Sequence, residues 1–132
     1  MKIKNIYGRE VSINPTKYLI DWEKVVSKPQ KQVKDVIAPY WKGNLVCEEF
    51  FIPSSKMRVD IINFSLGIVV EVSPKGSHGY NNFFHKNRPK FLSGVKRDLK
   101  KTEWILSNDF EYIEIDDEDL KDNEKILEKI IK

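Results

Sequence analysis

The chain has one cysteine, two histidines and no apolar run near the roughly 20 residues that cross a bilayer. A lone Cys47 excludes an internal disulfide. Flanked by Val46 and Glu48 in a strand-like stretch, it reads as a small core residue rather than a nucleophile. The Met1 end is polar and unlike a signal sequence, and repeats, low-complexity tracts and linkers are missing. These absences point to a cytoplasmic protein without a membrane segment. The 132 residues suit a single domain, long enough for one core but not for two.

Excess charge is also scarce, at +3 overall, but it is unevenly spread. Lys86 to Lys101 carries seven basic residues against one acid, and Asp109 to Lys132 carries ten acids against four lysines. The basic run is Lys86, Arg88, Lys90, Lys96, Arg97, Lys100 and Lys101. It is either a solvated helix face or a phosphate-binding one.

Two apolar, β-branched runs precede it, Val59–Phe64 and Gly67–Val72, separated by a short Ser65-Leu66 turn. Setting Phe64 opposite Gly67 carries Ile62 to Val69 and Asp60 to Glu71. Opposed residues on one face of an antiparallel pair have Cβ atoms about 5 Å apart. Two carboxylates that close repel, and a divalent cation with oxygen ligands is the usual remedy. The alternative is two unrelated surface acids. Glu48 and Glu49 fall on the preceding strand, and alternation favours Glu49 as a third carboxylate on the same face, an edge-strand charge being the alternative.

The remaining pattern is α/β. Ile3 to Ile13 reads as a small hairpin turning at Tyr7-Gly8, and Asn14-Pro15 as a capped first turn, with Tyr18, Leu19 and Trp22 packing on the body. Ser27 to Gln30 opens a helix to about Trp41 with Val33, Ile37, Tyr40 and Trp41 inward. Gln30 shares that stripe and either caps the helix or reaches a polar site beneath it, while Gln32 points away. A strand is expected over 45–52, an irregular segment from Pro74 to about Asn87, and a helix over 90–106 with Phe91, Val95, Leu99 and Ile105 inward. A strand over 110–115 follows. A final helix capped by Asp116 or Asp117 places Leu120, Leu127 and Ile131 inward.

This order, α-β-β-β-α-β-α with a mixed sheet flanked by helices, resembles the core of the PD-(D/E)XK, or restriction-endonuclease-like, nucleases. The likeness covers about residues 27–116, leaving 1–26 as an extension and 117–132 as a C-terminal helix of the same domain. Arg58-Val59-Asp60, Val69-Val70-Glu71-Val72, His78 and Lys96-Arg97-Asp98 leading to Trp104 resemble the branch containing very short patch repair endonucleases and small phage and homing nucleases. The chain departs from the family at Ser73, where a catalytic lysine usually stands. Lys75, or Lys96 on the helix, is a candidate to replace it, and in the repair branch histidine serves.

The resemblance implies a metal-dependent DNA endonuclease. Asp60, Glu71 and the Val72 carbonyl, with Glu49 as a further ligand, would hold Mg²⁺, for which Mn²⁺ can substitute. Lys75 or His78 would assist the attacking water. Gln30, Lys86, Arg88, Lys96, Arg97 and Lys100 would contact DNA. Tyr80, Phe83 and Phe84 either stack on bases or anchor their own loop, and His85 has a structural or phosphate-contacting role. Modules of this size often dimerise to cut both strands. The rival, supported by Ser73, is a catalytically silent nucleic-acid-binding or phage assembly protein that keeps the fold.

Overall fold

A computed structural model describes residues 1–73 and 99–131 of the chain. Strands β1 (Lys2–Lys4) and β2 (Glu10–Ser12) form the expected N-terminal hairpin, and Gly8 takes the left-handed backbone its turn requires, at φ 82°. A 3₁₀ turn over Pro15–Tyr18 follows, capped by Asn14. Tyr18 and Trp22 pack on the body as expected, but Leu19 is half exposed. Its backbone instead bridges to Cys47.

Helix α1 runs over Lys28–Trp41, and the Ser27 side chain accepts from the Gln30 N–H at 3.3 Å. The cap satisfies a donor that the first turn leaves free, so Ser27→Ala should cost about 1 kcal/mol in a urea melt. The buried stripe is Gln30, Val33, Lys34, Ile37, Ala38 and Trp41. Tyr40, expected inward, is exposed. Gln32 does not point away into solvent. Its amide donates to the Leu120 carbonyl at 2.7 Å and to Asn123 at 2.9 Å, tying α1 to the C-terminal helices.

The main sheet has the order β3 (Val46–Phe51), β4 (Arg58–Asn63), β5 (Ile68–Val72), β6 (Glu111–Ile115). The first three are antiparallel neighbours, and β6 runs parallel to β5. Ile62 lies opposite Val69 and Ile61 opposite Val70, so the expected β4–β5 register holds. The turn is longer than expected, spanning 64–67, because Asn63 closes it with both its carbonyl and its side chain. Gly67 adopts φ 70° there.

Two cores sandwich this sheet. On one face Val33, Ile37 and Trp41 of α1 meet Ile61, Val70, Ile113 and Ile115. On the other, Cys47, Ile62 and Val69 pack with Ile3 and with Trp104 and Ile105. The last two belong to helix α2, described over 99–107. Leu99, expected inward on that helix, is exposed. Burial pushes the Cys47 thiol up to about 11, in keeping with a core residue. The C-terminal segment forms two helices rather than one. Asp116 caps α3 (Asp117–Leu120) through a capping box with Asp119, and Asp122 opens α4 (Asn123–Ile130) by accepting from the Glu124 N–H. This restart shifts the phase, so Ile126 and Ile130 are buried while Leu127 is only half-buried.

Together the elements make a mixed α/β fold with a four-stranded mixed sheet flanked by helices. Among the described residues no helix is long and apolar enough to cross a membrane.

Candidate functional site

Asp60 and Glu71 meet where β4 and β5 continue beyond their last regular pair. Each side chain bonds to the other strand's backbone. The Asp60 N–H donates to Glu71 Oε2 at 3.2 Å, and the Val72 N–H donates to Asp60 Oδ2 at 2.8 Å. Val72, whose carbonyl belongs to the expected oxygen set, is therefore joined to the pair through its amide. Glu71 is buried and Asp60 half-buried. Burial, then the negative charge of Glu71 and a hydrogen bond with its side chain, push the Asp60 carboxyl up to about 7. The Val72 N–H and the charge of Lys101 pull the other way without cancelling the rise.

Lys101, read from the sequence only as part of the basic run, is the site residue that sequence reasoning missed. It reaches from α2 to place Nζ 2.7 Å from Glu71 Oε1. A signal was available: Lys101 precedes Trp104 by three residues and Ile105 by four, so it shares the helix face that those two bury. Two carboxyl groups and one ammonium thus share a partly desolvated spot. Hard oxygen donors of this kind fit a small divalent cation, which would offset both the burial and the Glu71 charge that raise the Asp60 pKa.

Gln30 lies beneath Asp60. Its side chain is buried and donates from Nε2 to the Asp60 carbonyl at 3.4 Å. Ser27 supplies the cap, leaving Gln30 to support the strand. A DNA contact was expected of Gln30, and in the structure its amide is buried against the Asp60 backbone.

The β3–β4 ladder, from Val46–Asn63 to Phe51–Arg58, skips from the Glu48–Ile61 pair to the Phe50–Val59 pair, with Glu49 and Asp60 between them. Glu49 has left-handed backbone at φ 49°. The two-residue alternation breaks there, since Cys47 and Phe50, three apart, join the same core. This break undoes the reasoning that favoured Glu49 as a third ligand. Its carboxylate is paired with Arg58 at 3.3 Å, and among the described residues no three acidic, histidine or cysteine side chains gather as a metal-holding group. Backbone strain next to Asp60 is of the kind that concentrates at functional sites.

Glu48 faces the other way, into α1. Its Oε1 accepts from Lys34 Nζ at 2.7 Å and its Oε2 from the Asp21 N–H at 2.7 Å, while Lys34 also donates to the Lys24 carbonyl at 2.9 Å. Lys34 is wholly buried. This ion pair clamps the 21–24 segment and α1 onto β3, one helical turn from Gln30.

Of the expected DNA contacts, Lys100 is exposed on α2. Lys75, His78, Lys86, Arg88, Lys96 and Arg97 lie outside the described residues, as do Tyr80, Phe83, Phe84 and His85. No family model, curated protein or solved structure matches the chain. The geometry of the site therefore carries the functional reading.

Proposed function

We propose that the chain is a Mg²⁺-dependent DNA endonuclease of the restriction-endonuclease-like type. The observation that carries this reading is the meeting of Asp60 and Glu71 across β4 and β5 with Lys101 held on Glu71 at 2.7 Å. The order of α1, an antiparallel β3–β5 meander, α2 and a parallel β6 supports it.

Asp60, Glu71 and the Val72 carbonyl would hold Mg²⁺ or Mn²⁺. When bound, the ion supplies Lewis acidity at the phosphate and acidifies the attacking water. Asp60 takes part once it has lost its proton, and the Val72 N–H on Oδ2 then fixes its carboxylate in place. Gln30 holds the Asp60 main chain from below. Lys101 takes the role that Ser73 leaves open, its ammonium giving an N–H to a phosphoryl oxygen as charge builds there. Exposed Lys100, and the basic run before it, would hold the DNA backbone, and a homodimer would cut both strands.

Incubation with supercoiled plasmid and with branched DNA, in Mg²⁺, Mn²⁺ or EDTA, tests this reading. Metal-dependent nicking is expected, and Lys101→Ala should slow it by about 10²–10³-fold while DNA binding persists. DNA binding without cleavage under every metal condition would overturn the enzyme and favour a silent nucleic-acid-binding protein.

A further inference from the structure

A cleft of about 280 Å³ opens beside β3, lined by none of the residues assigned to cleavage. Its walls include Tyr18, Phe50 and Phe51, and its polar groups include Lys17, Ser54 and Ser55. The size suits one ring system rather than an extended ligand.

Its chemistry is one-sided. None of the residues lining it is acidic. Lys17 is exposed and makes no ion pair among the described residues. Ser54 Oγ accepts from Asn5, and Ser55 Oγ accepts from the Met57 N–H, so each hydroxyl keeps its own proton to donate. An ammonium and two hydroxyl donors call for a ligand rich in acceptors.

The aromatic part is also unusual. Phe51 is 42% exposed, and the Arg58 guanidinium lies 5.6 Å from its ring centre. A large ring kept at the surface offers a platform on which a base can stack, while the guanidinium itself is already paired with Glu49 at 3.3 Å. Ser54, at the cleft's rim, holds left-handed backbone at φ 67°. Phe51 is paired with Arg58, which stands two residues along β4 from Asp60, about 7 Å at the usual strand rise. A chain passing Asp60 would therefore meet the platform close by.

We infer that this cleft takes one unpaired nucleotide of a single-stranded nucleic acid, its base stacked on Phe51 and its phosphate held by Lys17 with the Ser54 and Ser55 hydroxyls. The inference rests on the nuclease reading and narrows its substrate class to DNA with a single-stranded or branched portion.

Anisotropy with a fluorescein-labelled oligothymidylate and with a duplex of equal length, both in EDTA, tests it. Because Phe51 is well exposed, Phe51→Ala and Phe51→Leu should leave the fold intact, which a thermal melt checks. Each should weaken oligothymidylate binding about 5- to 150-fold, since both lose the stacking ring, and should change duplex binding less than about twofold. Lys17→Ala should reduce the salt slope for the single strand by about 0.7. Failure of the wild-type chain to bind oligothymidylate overturns the inference. So does wild-type affinity in Phe51→Leu, or an equal loss on both DNAs. The plasmid assay separates this from the nuclease reading. Nicking with indifference to Phe51 overturns the cleft alone. Single-strand binding through Phe51 without nicking keeps the cleft and overturns the nuclease.

Discussion

The metal-free protein should lose stability as pH rises from about 4 to about 7, and Asp60→Asn should abolish most of that loss. The sign follows from where the proton is held. The Asp60 carboxyl is pushed from an ordinary 3.8 up to about 7 by burial and by Glu71, so through this range the folded chain keeps a proton that the unfolded chain has released. Stability falls with pH wherever the folded state binds more protons, and the full loss is reached above pH 7. The magnitude is about 2–4 kcal/mol after discounting for partial solvent contact, or on the order of 10 °C in Tm. Asparagine resembles the protonated carboxyl. Its Oδ1 can still accept from the Val72 N–H, and its amide can donate to Glu71. The variant should therefore melt higher than wild type at pH 8 and about equally at pH 4, while losing the proposed DNA cleavage. Glu71→Gln should behave differently, because it also removes the partner of Lys101. Thermal melts across pH in EDTA check this. A wild-type profile flat between pH 4 and 8 would show that the two carboxyls are not coupled as described.

Lys34→Met should be the most damaging single change away from the site, at about 3–5 kcal/mol. Lys34 is wholly buried, and its ammonium answers Glu48 and the Lys24 carbonyl. Removing it leaves the Glu48 carboxylate buried with only the Asp21 N–H for company. The cost is that of an uncompensated charge rather than the net worth of the pair. A second change, Glu48→Gln, should therefore restore much of the loss, and the double-mutant cycle should show strong coupling. Because Lys34 is one turn from Gln30, the single variant should also loosen the hold on the Asp60 carbonyl and slow the proposed cleavage in the fraction still folded. Urea denaturation at neutral pH measures the first effect. A loss below about 1 kcal/mol would mean that Lys34 finds water in place of Glu48.

The β4–β5 hairpin was legible because both strands are continuous apolar runs, and slipping either by one residue would turn Ile62 and Val69 out of their core. The cap at Ser27 was legible for an equally local reason. Helix phase was harder. Lysine is a residue type that usually faces solvent, although the spacing of Lys34 to Gln30 and Ile37, and of Lys101 to Trp104 and Ile105, places both on buried faces. What each lysine meets there, Glu48 or Glu71, depends on tertiary packing and leaves no local trace. Glu49 illustrates a second limit. Strict alternation assumes regular strand backbone, and one left-handed residue was enough to break it. The restart at Asp122 did the same to the final helix, shifting the buried positions to Ile126 and Ile130.

Calorimetric titration of Mn²⁺ into the metal-free protein tests the proposed Asp60–Glu71 cation site most directly. At pH 8 the wild-type chain should bind saturably. At pH 5.5 affinity should fall roughly 30-fold, because Asp60 must first release its proton. Asp60→Asn and Glu71→Gln should each abolish binding at both pH values. Saturable binding that is unchanged in both carboxamide variants, or no saturable binding by the wild-type chain at pH 8, would contradict it.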